Sequence, residues 1–170
     1  MTAMGYSESS PYIVAKAVQL PRGILEATMH TTQTCTVVRP GQSFDGKQGL
    51  TYVEGISAER TGSTGICMHL LTLPPGARAK AHLHEAHETA IYVISGVTEM
   101  YYGDGLKEHL VVKAGELLYI PANMPHLPMN TSSEPCTCVL ARTDPNEQES
   151  VVLLPELELA IPASGATDAD

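Results

Sequence analysis

The chain has 170 residues, 43% of them apolar and 17% charged, which suits one compact domain with tails and a genuine core. A formal charge of -9 argues against broad nucleic-acid binding, which needs basic surface, and against docking on an anionic membrane. No apolar run approaches the roughly 20 residues of a spanning helix.

In chain order, residues 1–34 mix short polar and apolar pieces without clear period and read as an N-terminal arm with short strands. The first residues lack the charged-then-apolar pattern of a secretory signal. Residues 37–49 are rich in turn formers. From Leu50 onward, short apolar or alternating runs are broken by Gly, Pro, Asn and Asp. Strands are predicted at 65–73, 89–94, 97–102, 109–112, 117–120 and 136–141. Gly103-Asp104-Gly105 predicts a hairpin turn, because these residues tolerate positive φ. Met68, Leu70, Tyr92, Ile94 and Tyr119 lie on or beside strands expected to line an interior. After Arg142 the chain turns polar, and Val151 to Leu154 predicts a final strand or a short helix before Pro155. Residues 143–170 form a C-terminal extension with a loose end. Strands this short and closely spaced predict an all-β sandwich or barrel over residues 35–142.

Four cysteines occur, at 35, 67, 136 and 138. Cys136 and Cys138 form C-x-C rather than a C-x-x-C redox or zinc motif, so two small apolar side chains on one strand face are expected. A reducing, cytoplasmic setting follows as the default.

The richest stretch is 76–96, GARAKAHLHEAHETAIYVISG. His82, His84 and Glu88 share parity, so on one extended strand they face the same side. Two imidazoles and a carboxylate can then converge on one divalent ion, with Fe, Mn, Ni, Co, Cu and Zn all compatible. Glu85 and His87 have the opposite parity. Tyr92 shares the ligands' parity and is a candidate proton donor beside Glu88. Arg78 and Lys80 share it too; they either face an anionic ligand or are solvated loop charges. A second stretch, 115–130, GELLYIPANMPHLPMN, runs a strand into a turn and places His126 between Pro125 and Pro128. Two flanking prolines stiffen that backbone. His126, His30, His69 and His109 taken singly read as structural or surface histidines.

Together the two stretches resemble the paired motifs of the cupin superfamily. The first pattern is G, five residues, H-x-H, three or four residues, E, six residues, G; Gly76, His82, His84 and Glu88 follow it. The second is G, five residues, P-x-G, two residues, H, three residues, N; Gly115, Pro121, His126 and Asn130 fall on it. The resemblance spans about residues 65–142, and the chain is similar to bacterial single-domain cupins. It implies a small antiparallel β-barrel of jelly-roll type, with one divalent metal inside its mouth held by His82, His84, Glu88 and His126. It also implies a homodimer and a small-molecule ligand or substrate. Dioxygenases, decarboxylases, isomerases, lyases and cyclases share this ligand set, dioxygenase being the leading expectation and a non-catalytic sensor or storage protein the alternative.

Two departures stand out. Seven residues, not six, separate Glu88 from Gly96, so counting back from Gly96 puts Thr89 at the acid position. Parity favours Glu88, with a bulge in the following strand absorbing the extra residue; otherwise the site is three histidines. Asn123 stands where the family has glycine, and asparagine best replaces glycine in left-handed backbone.

Overall fold

Alternation of inward and outward side chains along short apolar runs builds this chain into two sheets. The computed structural model describes residues 34–39, 41–146 and 150–161. The chain divides into two compact units, Met1–Thr36 and Val37–Asp170, and every element named below belongs to the second. His30, most of the expected N-terminal arm and the end of the C-terminal extension lie outside the described residues.

The strands are β1 (Ser43–Asp45), β2 (Thr51–Ile56), β3 (Cys67–Leu73), β4 (His82–His84), β5 (Thr89–Ser95), β6 (Val97–Tyr102), β7 (Glu108–Lys113), β8 (Leu117–Ile120), β9 (His126–Met129), β10 (Cys136–Arg142) and β11 (Val151–Leu153). A four-residue helical turn, Ala58–Thr61, follows β2. All described pairings are antiparallel. One sheet runs β1-β2-β3-β10-β5-β8 and the other β11-β4-β9-β6-β7. This is the small antiparallel barrel expected of the sequence. Two of the expected strands, 97–102 and 117–120, have the expected bounds, and the other four shift by one or two residues.

Period-two burial places the core between the sheets. On β3, Cys67, His69, Leu71 and Leu73 point inward, and on β10 Cys136, Cys138, Leu140 and Arg142 do so. Leu71, Leu73, Val93, Val112, Cys136, Cys138 and Leu140 share one buried cluster. Cys136 and Cys138 are buried free thiols on one face of β10, as the C-x-C spacing suggested. A smaller cluster, with Ala81, Leu106, Leu127, Met129 and Ile161, packs beneath the C-terminal segment. That segment is a strand and then a turn: β11 pairs with β4, and Pro155 opens a 3-10 turn, Pro155–Ala160, where its missing N–H costs nothing.

The expected inward set is corrected at several places. Met68, Tyr92, Ile94 and Tyr119 are at least one-third exposed on the outer face, while their chain neighbours Cys67, Val93 and Ile120 are buried. Both faces of these strands carry apolar residues, so hydrophobicity alone did not identify the buried parity. The bulge foreseen in β5 is present: Thr137 pairs with Ser95 and Cys138 with Val93, leaving Ile94 extra. It lies downstream of the acid position and does not turn Glu88 inward.

Gly96 is the single residue that carries the chain from β5 to β6, and so from one sheet to the other. Its φ of 79° is left-handed, and a Cβ there would run into the Pro135 carbonyl. Gly96→Ala is expected to cost about 2–4 kcal/mol of unfolding free energy, summing left-handed strain and overpacking. Urea denaturation measures it, and an unchanged midpoint would contradict this role for the glycine.

Candidate metal centre

Three histidines from two strands meet inside the barrel. β4 supplies His82 and His84, two residues apart and both inward, and β9 supplies His126, which sits opposite His82 in the β4–β9 register. Their side chains each offer one ring nitrogen to a group whose atoms all lie within 4.8 Å of one another. All three residues are at most 3% exposed.

Local hydrogen bonds set the state of two rings. His82 Nδ1 lies 2.7 Å from the Lys80 carbonyl and His126 Nδ1 lies 2.8 Å from the Met124 carbonyl. A carbonyl only accepts, so both Nδ1 atoms carry the proton and both Nε2 atoms present a lone pair. Each ring is thus oriented by a backbone oxygen two residues upstream, as metal-binding imidazoles commonly are. His84 Nδ1 is buried with no hydrogen-bond partner, an orphan that a cation or a bound molecule would satisfy.

Burial keeps the cluster neutral. Desolvation is the largest cause for all three rings, and it holds His126 down to about 4. His82 and His84 are lowered well below the usual imidazole range by burial, with the neighbouring His126 charge next for His82 and the Arg142 charge next for His84. Neutral imidazole is the form that binds a metal, so these residues fit a divalent ion.

Glu88 is not brought to the group. Between β4 and β5 the chain turns through Ala86 at φ 59°, in left-handed backbone, and the inward parity changes from even to odd. Thr89, not Glu88, is buried and faces the cavity. Glu88 is exposed, with its carboxylate accepting a 2.7 Å hydrogen bond from the Tyr119 hydroxyl. Its backbone is locked by paired bonds with Thr143. Tyr92 is 42% exposed on the outer face, because its parity counts from the far side of the same turn. The parity reading failed because 82–88 is not one strand. Asn123 helps to fix that turn: at φ 61° it takes the left-handed backbone expected of it, donates its N–H to the His84 carbonyl and accepts from Ala86 N–H.

Of the remaining residues, Arg78 reaches Glu158 of the C-terminal turn rather than the cavity. His69 is buried and accepts from the Gly55 N–H through Nδ1. His109 is bound to Glu99 on the surface, and His87 lies 3.6 Å from the buried Asp144. The sequence reading missed Arg142, the last inward position of β10, which is 4% exposed and lines the same cavity as the histidines. The signal was available: an arginine ends an otherwise apolar alternating run, C-x-C-x-L-x-R. Leu50, Leu71, Ile91, Met100 and Leu118 supply much of the cavity's apolar wall.

Two outcomes follow. His82→Ala and His126→Ala are expected to remove most bound metal from the protein, whereas Glu88→Gln and His87→Ala keep one equivalent, read by elemental analysis after identical loading. A metal content that drops in Glu88→Gln as it does in His126→Ala would restore the carboxylate as a ligand. The second concerns acid. Unfolded imidazoles take up protons near 6.5, while the buried ones resist, so the unfolded state binds more protons as pH falls below that value. Stability present above pH 6.5 is lost toward pH 4, on the order of 3 kcal/mol from His126 alone. Urea midpoints of chelator-treated protein between pH 7.5 and 4.5 should fall accordingly, and a flat profile would contradict the buried, neutral cluster.

Comparison with known proteins agrees with this architecture. Residues 69–142 match the family described as "Cupin domain". No curated protein matches the sequence. Among solved structures, an oxalate decarboxylase from Bacillus subtilis superposes with a TM-score of 0.55 at 25% identity, over 69% of this chain and 30% of that one. Another structure of that enzyme, at 24% identity and a TM-score of 0.53, concerns its Mn(II) centres. A candidate sugar phosphate isomerase from Acidithiobacillus ferrooxidans gives a TM-score of 0.50 at 21% identity, covering 60% of this chain and 66% of that one, and shows the fold alone. The chain therefore spans under a third of the decarboxylase and just under two thirds of the isomerase. With two antiparallel sheets closed over a histidine-lined cavity and the family match running from β3 to β10, residues 69–142 are a cupin domain.

Proposed function

We propose that this protein is a metal-dependent enzyme acting on a small oxygenated molecule, with dioxygenase-like chemistry as the leading form. The observation that supports this most is the trio of buried, neutral histidines opening on an apolar cavity. His82, His84 and His126 would hold the ion. A bound divalent ion there supplies Lewis acidity toward a substrate oxygen and, if it is iron or copper, a place for dioxygen. Imidazole donors suit Zn, Cu, Fe and Ni and are compatible with Co, while the Mn(II) of the similar decarboxylase keeps manganese among the candidates.

The chain's own contribution is positional. Three side chains fall short of the four to six ligands such ions take, which leaves room for a substrate and a second small molecule. The carbonyls of Lys80 and Met124 fix two ring tautomers before anything binds. The apolar wall excludes bulk water and strengthens every charge interaction within it. The proton-shuttling roles expected of Glu88 and Tyr92 find no support, since both side chains lie on the outer face.

Likeness to oxalate decarboxylase supports a second reading, carbon–carbon cleavage of a small carboxylate without net oxidation. The buried, unbridged Cys136 and Cys138 are in keeping with a reducing, cytoplasmic setting. Exposed Tyr92, Ile94, Leu117 and Tyr119 on β5 and the edge strand β8 favour a homodimer that would cover that edge.

One experiment separates these readings. Protein loaded singly with Fe(II), Mn(II), Ni(II) or Zn(II) is offered small hydroxy acids, keto acids, dicarboxylates and diphenols while dioxygen uptake and carbon dioxide release are followed. The leading reading expects uptake matched to product in the Fe(II) form and none in His126→Ala. Carbon dioxide release without oxygen uptake would favour the decarboxylase reading. Tight binding without turnover under every metal would replace the enzyme by a binding protein.

A further inference from the structure

Building on the metal centre proposed above, we infer that Glu158 is a positioning residue for it, whose carboxylate acts on the His82 ring through the Lys80–Ala81 peptide group. Two hydrogen bonds meet on that group. Glu158 Oε1 accepts from the Ala81 N–H, and the Lys80 carbonyl accepts from His82 Nδ1 at 2.7 Å. The Ala81 nitrogen and the Lys80 oxygen belong to one peptide unit, so the carboxylate and the imidazole sit at its two ends. The amide is a single delocalised group, and a negative charge at its N–H end pushes electron density toward its oxygen. The Lys80 carbonyl becomes a better acceptor, its bond to Nδ1–H tightens, and the Nε2 lone pair gains density. A carboxylate bonded directly to a metal-binding imidazole raises its basicity in the same way; here a peptide stands between the two.

The carboxylate is held in place. Its Oε2 lies 3.3 Å from Arg78 Nη2, which also donates to the Glu158 carbonyl at 3.0 Å. Ala81 is fully buried, which keeps bulk water from taking over the bond to its N–H. The peptide is fixed on both sides, since the Leu154 N–H donates to the Ala81 carbonyl at 2.9 Å and the Lys80 N–H to the Gln48 carbonyl at 2.8 Å. His126 supplies a contrast within the same centre. Its Nδ1 is oriented in the same way, by the Met124 carbonyl at 2.8 Å. That carbonyl belongs to the Met124–Pro125 peptide, and proline has no N–H, so no carboxylate can reach His126 by this route. Glu158 lies on the Pro155–Ala160 turn, outside the residues 69–142 that match the family. The C-terminal extension thus supplies a part of the centre that the matched residues lack.

The test uses the full chain, metal-free and then loaded with Co(II), as wild type, Glu158→Gln, Glu158→Ala and Arg78→Gln. Proton–nitrogen NMR follows the Nδ1–H signals of His82 and His126, competition with a chelator gives cobalt affinity, and circular dichroism checks the fold. The His82 signal is expected to move upfield in Glu158→Gln and further in Glu158→Ala, while the His126 signal stays. Cobalt affinity should fall about threefold to tenfold in Glu158→Gln and on the order of 10- to 100-fold in Glu158→Ala. Arg78→Gln leaves the carboxylate on Ala81, so it should keep the His82 signal and hold cobalt within about threefold of wild type. A bond of structural value alone predicts that Glu158→Gln, which still offers an amide oxygen to the Ala81 N–H, behaves as wild type. That result in either readout, a shift shared equally by His82 and His126, or Arg78→Gln matching Glu158→Gln would overturn the assignment. Should Glu158→Ala not fold, Glu158→Gln and Arg78→Gln carry the test. If wild type holds no stoichiometric cobalt, the metal centre itself fails; a shift confined to His82 in metal-free Glu158→Gln then sustains the link from carboxylate to ring, and its absence overturns it.

Discussion

One antiparallel contact governs the candidate site: His82 of β4 opposite His126 of β9. It puts two imidazoles from segments 44 residues apart at a ring-centroid separation of 4.2 Å, and His84 joins them from the same face of β4. Two buried imidazoles this close could not both be charged, burial disfavours a charge on either, and neutral rings are what a cation needs. The surrounding structure serves this contact. β11 covers the other edge of β4, with Leu153 opposite His82 and Val151 opposite His84. Glu158 accepts from the Ala81 N–H and binds Arg78, so the C-terminal turn is tied to the segment that leads into His82. Asn130, at the end of β9, is fully buried and spans the Leu73 and Glu134 carbonyls through its amide nitrogen. The last residue of the second motif is thus a structural strut rather than a participant in chemistry.

Much of this was legible in the sequence because it depends on local rules. Strands β6 and β8 are bounded by glycine or proline and were found at their limits. The H-x-H spacing states its own geometry, since two residues apart on a strand means one face. His126 was different. Nothing in its own neighbourhood marks a ligand, and only the paired-motif resemblance singled it out. The short strands β1, β2 and β9 were missed because their runs contain glycine, proline or charge, and tertiary pairing overrides such weak propensities.

Glu88 and Tyr92 show where sequence reasoning breaks. A parity argument holds only while the backbone stays extended, and a single left-handed residue, Ala86, ends that condition. Alanine gives no warning of positive φ; the conformation is imposed from outside, by Asn123 Oδ1 on the Ala86 N–H and by Asn123 N–H on the His84 carbonyl. The motif count from Gly96 carried the right answer, because it fixes position from the far end of β5, beyond the turn. Arg142 was overlooked for the opposite reason. Its spacing on β10 was plain, but nothing local distinguishes an arginine that ends a strand in solvent from one that ends it in a cavity.

Burial holds the centre's three nitrogen donors in the neutral form that a cation needs. The most direct measurement of the central claim is a crystal structure of the metal-loaded protein with anomalous data at the absorption edge of the ion. One anomalous peak at about 2.0–2.2 Å from a ring nitrogen of each of His82, His84 and His126 is expected, with the Glu88 carboxylate still bound to Tyr119 outside the barrel. A peak away from those three rings, or one coordinated by Glu88, would contradict it.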